Sequence, residues 1–89
     1  MKSELDPAKS AGNKAKHGMD FVEAQALWQD AAHQIVLSKP GVANEVRFLA
    51  IGRIGGKHWT AIWTGRGDAV RIISVRRARE EEIGYYEGS

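Results

Sequence analysis

The spacing of apolar residues changes near His33, and this change constrains the fold more than any other feature of the chain. Before it, apolar residues recur every three to four positions, which is typical of helices that bury one side. After it, short apolar runs are separated by turns that contain glycine, as in antiparallel strands joined by hairpins. This order predicts a single α+β domain over residues 1–89, with two N-terminal helices packed on a four-stranded antiparallel sheet.

The first predicted helix has clear signals at both ends. Asp6 followed by Pro7 is typical of a helix start, and Gly18 is typical of the residue that ends one. We therefore expect a helix from Pro7 to His17. Alanines spaced three and four positions apart predict a stripe that another element can approach closely. They are Ala8, Ala11 and Ala15.

The second helix is predicted from Phe21 to Asp30. Asp20 and Glu23 have the three-residue spacing of a capping box, in which each side chain accepts a hydrogen bond from the other's backbone. Apolar residues then follow the helical spacing, so this helix is expected to supply the main helical part of the core.

Four strands are predicted from the apolar runs that follow. Their ranges are His33–Ser38, Glu45–Arg53, Lys57–Thr64 and Ala69–Ser74. The expected features around them are turns at Lys39–Gly41, Gly55–Gly56 and Gly65–Asp68, and a short C-terminal helix from Arg76 onward.

The third and fourth predicted strands carry large apolar side chains on both faces. Alternation places Trp59 and Trp63 on one face and Ile62 on the other, while Ile72 opposes Ile73. A sheet that is apolar on both faces needs cover on both. Because two helices cover one face, we expect part of the other to be an apolar surface that a second molecule buries.

Positive charge is concentrated in one part of the chain. Residues 46–79 contain eight Arg or Lys residues and a single acidic residue, whereas the whole chain has a net charge of only +2. Seven of the eight are arginines, whose planar guanidinium groups bind phosphate oxygens in pairs. A solvated charged face is the simpler explanation of such a block. The concentration of arginine in predicted strands favours a nucleic-acid partner instead.

Several classes of protein do not fit this sequence. There is no cysteine for a disulfide or a thiolate metal site, and the three histidines lack metal-ligand spacing. No apolar run is long enough to span a bilayer, so we expect a cytoplasmic protein with no membrane partner, no metal and no cofactor.

Ordered motifs through most of the chain resemble the BrnT toxin family. In the first half they are Asp6-Pro7-Ala8-Lys9, Asn13, Lys16-His17-Gly18, Phe21 and Glu23-Ala24. In the second half they are residues 47–52, 64–68 and 71–78, with Glu82 and Tyr86. Two positions depart from the pattern, since Leu5 replaces an aromatic residue before Asp-Pro and Gly65 replaces a glutamate after the strand threonine.

The resemblance implies a RelE-like fold and a ribonuclease that blocks translation as the toxin of a type II toxin–antitoxin system. It also implies a BrnA-like antitoxin with a ribbon-helix-helix part. Such an antitoxin would sequester the toxin and connect it to operator DNA.

Metal-free RNA cleavage needs an acid, a base and cations near the reacting phosphate. Lys16 and His17 are the predicted acid and base, although both also suit a helix C-terminus, where cations are favourable. The predicted charge-stabilising residues are Arg66, Arg71 and Arg76. Further RNA contacts are predicted at Arg53, His58 and Arg77, with His58 as a reserve acid or base.

Two other functions remain open from the sequence. The basic sheet could serve only as an RNA- or protein-binding module, as in a toxin that has lost its activity. A basic DNA regulator is less consistent with the sequence, because no helix has the character of a recognition helix.

Overall fold

The computed structural model describes residues 1–39 and 45–88. Within them, five strands form one mixed sheet in the order β1-β5-β4-β3-β2. The strands are β1 (Ser3–Glu4), β2 (Gln34–Leu37), β3 (Phe48–Ile54), β4 (Lys57–Arg66) and β5 (Ala69–Arg77). The α-helices are α1 (Pro7–His17), α2 (Phe21–Ala24) and α3 (Glu80–Glu87), and a 3-10 helix spans Gln25–Gln29.

The α+β class is confirmed, but the predicted all-antiparallel, four-stranded sheet is incomplete. Strands β2 to β5 form the expected antiparallel meander. The additional β1 pairs in parallel with β5, with Ser3 opposite Val70 and Glu4 opposite Arg71. Two polar residues show no strand pattern, so sequence reasoning had no signal for this pairing.

Helix α1 has the predicted bounds but packs through different residues. The Asp6 carboxylate accepts hydrogen bonds from the amides of Ala8 and Lys9, and Gly18 adopts the left-handed conformation at φ 86°. The predicted alanine stripe is wrong, because Ala8, Ala11 and Ala15 are exposed. The residues of α1 that are buried are Ser10 and Asn13.

Asn13 connects α1 to the backbone of its neighbours. Its side-chain nitrogen donates to the carbonyl oxygens of Met19 and Val75, both at 2.7 Å. Its side-chain oxygen accepts from the Val75 amide and the Ser74 hydroxyl, both at 3.2 Å. The backbone of β5 therefore finds at Asn13 the partners that another strand would otherwise supply.

The second predicted helix is α-helical only at its start. The capping box of Asp20 and Glu23 is present, but a 3-10 helix replaces the α-helix after Ala24. The tighter segment brings Leu27 and Asp30 against Gly52 of β3, where an added Cβ would lie 3.1 Å from Leu27 Cδ2. Contact this close favours a residue without a side chain.

The strand bounds differ from prediction at the start of β3, which begins at Phe48 and not at Glu45, and at the C-terminal ends of β4 and β5. β4 continues to Arg66 and β5 continues to Arg77, so Arg76 and Arg77 belong to a strand and not to the closing helix. Helix α3 begins only at Glu80. The predicted Gly55–Gly56 turn is confirmed, with φ of 61° and 78°. The turn predicted at Lys39–Gly41 lies largely outside the described residues.

The core lies between the sheet and the segment that contains α2 and the 3-10 helix. Met19, Phe21, Ala24 and Leu27 pack there against buried strand residues. Those strand residues are Ala50, Trp59, Ala61, Ile72 and Val75. We call this side of the sheet the helix face, and it includes the predicted face of Trp59, Ala61 and Trp63. A register shift near Ile62 and Trp63 turns Val75, in place of Ser74, toward the core.

None of the described helices is long and apolar enough to cross a membrane.

Candidate nucleic-acid interface and active site

The opposite side of the sheet, which we call the α3 face, carries most of the predicted site residues. Residues directly opposite each other in a ladder share a face. Arg53 is opposite His58, Arg76 is opposite Thr60, and Arg71 is opposite Thr64. Alternation along β4 adds Arg66 to the same face. These residues are spread along a strand of ten residues, ~30 Å long, so they do not form one cluster.

His58 lies at one end of this face, beside the last turn of α3. Its Nε2 is 2.6 Å from Oε2 of Glu87, and its side chain is 20% exposed. The carboxylate can only accept a hydrogen bond, so Nε2 is the donor in this contact and Nδ1 is the ring nitrogen that remains for a substrate. This is the chemistry of an oriented imidazole that can take up and return a proton.

Tyr86 holds the same turn of α3 in place. Its ring packs edge-on against His58, with 5.2 Å between ring centroids. Its hydroxyl donates to Oδ2 of Asp30 at 2.7 Å, and the same carboxylate oxygen accepts from the amide of Arg53. Backbone hydrogen bonds from Ala32 and Arg53, together with the one from Tyr86, lower the pKa of Asp30. The acceptor is therefore an ionised carboxylate at neutral pH.

Two arginines lie close to His58. Arg53 is its direct cross-strand neighbour and is exposed. Arg77 donates from Nε to the carbonyl oxygen of His58 at 3.4 Å, and its guanidinium lies 5.5 Å from the centre of the Trp59 ring. Both cations thus lie near the His58 imidazole. The guanidinium of Arg77, however, packs on Trp59, which belongs to the helix face.

Arg76, a predicted catalytic residue, is occupied by an ion pair. Its two terminal nitrogens donate to the two Glu82 oxygens at 2.7 and 2.8 Å. Burial acts to raise the pKa of Glu82, but hydrogen bonds from Arg76, the Arg79 amide and Thr60 outweigh it and lower the pKa to about 2. The pair anchors the start of α3 to the sheet.

Arg71 lies in a separate cleft beside the start of α1. The cleft also contains Asp6, Lys9, Glu45 and Arg47. Glu45 pairs with Arg47 at 3.3 Å, and Asp6 caps α1. Arg71 and Lys9 have no ion pair among residues 1–39 and 45–88. We call this site the Arg71 cleft.

A family model described as the ribonuclease toxin BrnT of type II toxin–antitoxin systems matches residues 5–82. The chain belongs to the BrnT family. Membership implies an antitoxin partner and RNA targets. No curated protein matches the chain. The BrnT match ends at Glu82, so Tyr86 and Glu87 lie beyond it.

The other predicted residues of this BrnT chain lie apart from His58. Arg66 is exposed at the far end of β4, next to exposed Gly65, where an added Cβ would contact nothing within 4 Å. Lys16 and His17 form the last turn of α1. No group of three described His, Asp or Glu residues could hold a metal ion.

Sequence reasoning did not include Glu87 or Lys9 among the site residues. Glu87 is far from His58 in sequence, and only the direction of α3 brings the two together. Lys9 looked like one of several exposed helix lysines, and its place in the Arg71 cleft depends on where α1 begins relative to β5. Glu87 has no local sequence signal that could have revealed it, whereas Lys9 lies in the Asp6-Pro7-Ala8-Lys9 motif of the family resemblance.

Proposed function

We propose that this chain is a RelE-like, cytoplasmic endoribonuclease that cleaves RNA without a metal ion and uses His58 as its acid and base. The observation that carries the proposal is the 2.6 Å contact between His58 and Glu87. It is the only histidine–carboxylate side-chain contact among the described residues. A histidine titrates near neutral pH, which suits it to both halves of a proton-transfer reaction.

The chemistry uses the RNA's own 2′-hydroxyl. That oxygen attacks the adjacent phosphorus, the bond from phosphorus to the 5′-oxygen breaks, and a 2′,3′-cyclic phosphate and a 5′-hydroxyl result. His58 takes the 2′-hydroxyl proton, and the resulting imidazolium returns that proton to the leaving 5′-oxygen. Arg53, which is exposed and directly across the strand from His58, is the proposed cation for the charge that builds on the phosphate.

The remaining predicted residues have secondary roles in this proposal. Arg71 and Arg66 share the α3 face and bind RNA away from the cleaved bond. Arg77 and the Lys16–His17 turn bind RNA at the His58 end. Arg76 holds α3, because both of its terminal nitrogens are bonded to Glu82.

A BrnA-like antitoxin with a ribbon-helix-helix part is the proposed protein partner, and operator DNA is reached only through it. The α3 face supports such a partner, because Leu49 and Ile62 form a half-buried apolar cross-strand pair on it. An antitoxin segment that buries this pair would provide the missing cover.

The two histidines give a sharp test of the catalytic assignment. Purified chain is incubated with RNA in the presence of EDTA, and the products are examined for cyclic phosphate ends. His58→Asn should reduce the rate by about 100-fold, the lower range for loss of an acid–base group, whereas His17→Asn should change it severalfold at most. His33→Asn serves as a control outside the site.

The opposite ranking would place the acid–base group at the end of α1 and reject His58. Absence of RNA turnover by the folded wild-type chain would favour the non-catalytic binding module instead. Cleavage that requires a divalent ion would refute metal independence.

A further inference from the structure

The Arg71 cleft contains cations that the fold itself does not use. Asp6 accepts hydrogen bonds from the amides of Ala8 and Lys9, and Glu45 pairs with Arg47. Both carboxylates are therefore engaged, while no described hydrogen bond or ion pair reaches the guanidinium of Arg71 or the ammonium of Lys9. Arg71 is half-buried, and Glu4 lies directly across the β1–β5 ladder from it without a described bond between the two side chains.

A row of cations leads from this cleft to His58. Helix α1 and β5 run in the same direction, because Lys9 shares a cleft with Arg71 while Asn13 bonds Val75. Lys16 lies seven residues after Lys9, on the same side of the helix and ~10 Å further along. The Lys16–His17 turn thus lies toward the end of β5, where Arg77 contacts the His58 carbonyl.

This path avoids α3. Helix α3 crosses the α3 face between Arg71 and His58, because its Glu82 is bonded to Thr60 and Arg76. Its exposed first-turn residues Glu80 and Glu81 are acidic and would repel a nucleic acid. The edge formed by α1 and β5 carries cations at both ends, which makes it the favourable route.

We propose that the Arg71 cleft is a second phosphate site, which holds an RNA phosphodiester several nucleotides from the bond cleaved at His58. The proposal rests on the proposed function, and it adds a requirement for RNA length. Arg71 provides a guanidinium for two phosphate oxygens and Lys9 provides a second charge. An acidic protein segment also suits two cations, but the continuation of positive charge to His58 favours a nucleic-acid strand.

The test measures binding separately from cleavage. Binding is measured by fluorescence anisotropy in the His58→Asn background, which should cleave the RNA only slowly. The labelled single-stranded RNAs are about 4 and about 12 nucleotides long, within the range of small single-strand-binding folds. Arg71→Ala and Lys9→Ala should each weaken binding of the longer RNA by about tenfold, the effect of losing one charge-assisted contact. Each should also reduce the salt dependence by about 0.7 in log–log slope.

Lys14→Ala is the matched control, since Lys14 lies on the same helix but pairs with Glu23 at 2.8 Å. It should change neither quantity by more than about twofold, as expected of an exposed ion pair. Binding of the shorter RNA should be nearly equal in all variants. Thermal unfolding confirms that each variant is folded.

Equal affinity and salt slope for wild-type, Arg71→Ala and Lys9→Ala chains with the longer RNA would overturn the proposal. So would a loss of antitoxin binding in Arg71→Ala with RNA binding unchanged, since the cleft would then serve a protein. If the wild-type chain cleaves no RNA but Arg71→Ala still weakens RNA binding, the proposed catalysis fails and the phosphate site stands.

Discussion

Replacing Glu82 with Gln should make the chain markedly less stable at neutral pH. The Glu82 side chain is only 8% exposed and the Arg76 side chain 19%. Lowering the pKa of a carboxyl from its ordinary 4.5 to about 2 corresponds to ~3 kcal/mol of folding free energy. A domain of this length is stable by roughly 5–13 kcal/mol, so the substitution should remove a large part of the total.

The sign of the pH dependence follows from the same pKa. Because the folded-state pKa of Glu82 lies below the unfolded-state value, the stabilisation is fully present above pH 4.5 and is lost as the pH falls toward 2. Glutamine keeps a side-chain oxygen for Thr60 and the Arg79 amide but carries no charge. Glu82→Gln should therefore match the wild type near pH 2 and differ most at pH 7.

Urea unfolding from pH 7 down to pH 2, followed by circular dichroism, measures both quantities. Glu80→Gln, an exposed change on the same helix, should shift the free energy of unfolding by no more than about 0.5 kcal/mol. A Glu82→Gln loss below about 1 kcal/mol at pH 7, or one that is the same at every pH, would show that the charge of Glu82 does not stabilise the fold.

Two further predictions concern α1 and the His58 site. Asn13→Ala leaves the buried amide and carbonyl of Val75 without their side-chain partner, so it should lower the free energy of unfolding in urea by ~2–4 kcal/mol. The exposed control Ala15→Ser should lower it by less than about 0.5 kcal/mol. Equal losses would show that Asn13 is not the connection between α1 and β5. Because the Glu87 carboxylate orients His58, Glu87→Gln should reduce the rate of RNA cleavage by about 10-fold or more and shift its pH profile. Glu87→Asp should recover part of the rate. An unchanged rate and pH profile would show that the contact has no role in the reaction.

The parts of the fold that the sequence predicted well are those encoded within a few residues. The cap at Asp6, the left-handed Gly18 and the capping box of Asp20 and Glu23 each involve side chains within one turn of the backbone that they satisfy. The Gly55–Gly56 hairpin is equally local. Such features need no knowledge of the tertiary structure, and all of them are present as expected.

The parts that were missed depend on contacts between distant segments. The pairing of Ser3 with Val70 and the bond from Asn13 to Val75 join residues more than sixty positions apart. An asparagine has no apolar signal, whereas Ala8, Ala11 and Ala15 have the spacing from which a packing stripe was predicted. In the structure Asn13 is buried and the alanines are exposed. The reason is that β5 has backbone amide and carbonyl groups without a strand partner, which an amide side chain can bind and a methyl group cannot.

Arg76 shows the same limit for the candidate site. Its position in an arginine-rich segment favoured a role on RNA, and the family resemblance places a glutamate at 82 without giving its partner. The structure pairs the two, which makes Arg76 a residue of the fold, while Arg71 five positions earlier has no such partner. Counting arginines could not separate these cases, because the distinction lies in whether a carboxylate is within reach.

Helix α3 connects the stability of the fold to the proposed chemistry. Its only buried residue is Glu82, and the contacts that fix the orientation of the helix on the sheet are polar. Those contacts lie at its two ends. At the start, Glu82 pairs with Arg76. At the end, Tyr86 donates a hydrogen bond to Asp30, and Glu87 contacts His58. Loss of the first anchor leaves the last turn held by exposed bonds that contribute little individually. The orientation of His58 should therefore depend on the Arg76–Glu82 pair, although neither of its members contacts the imidazole.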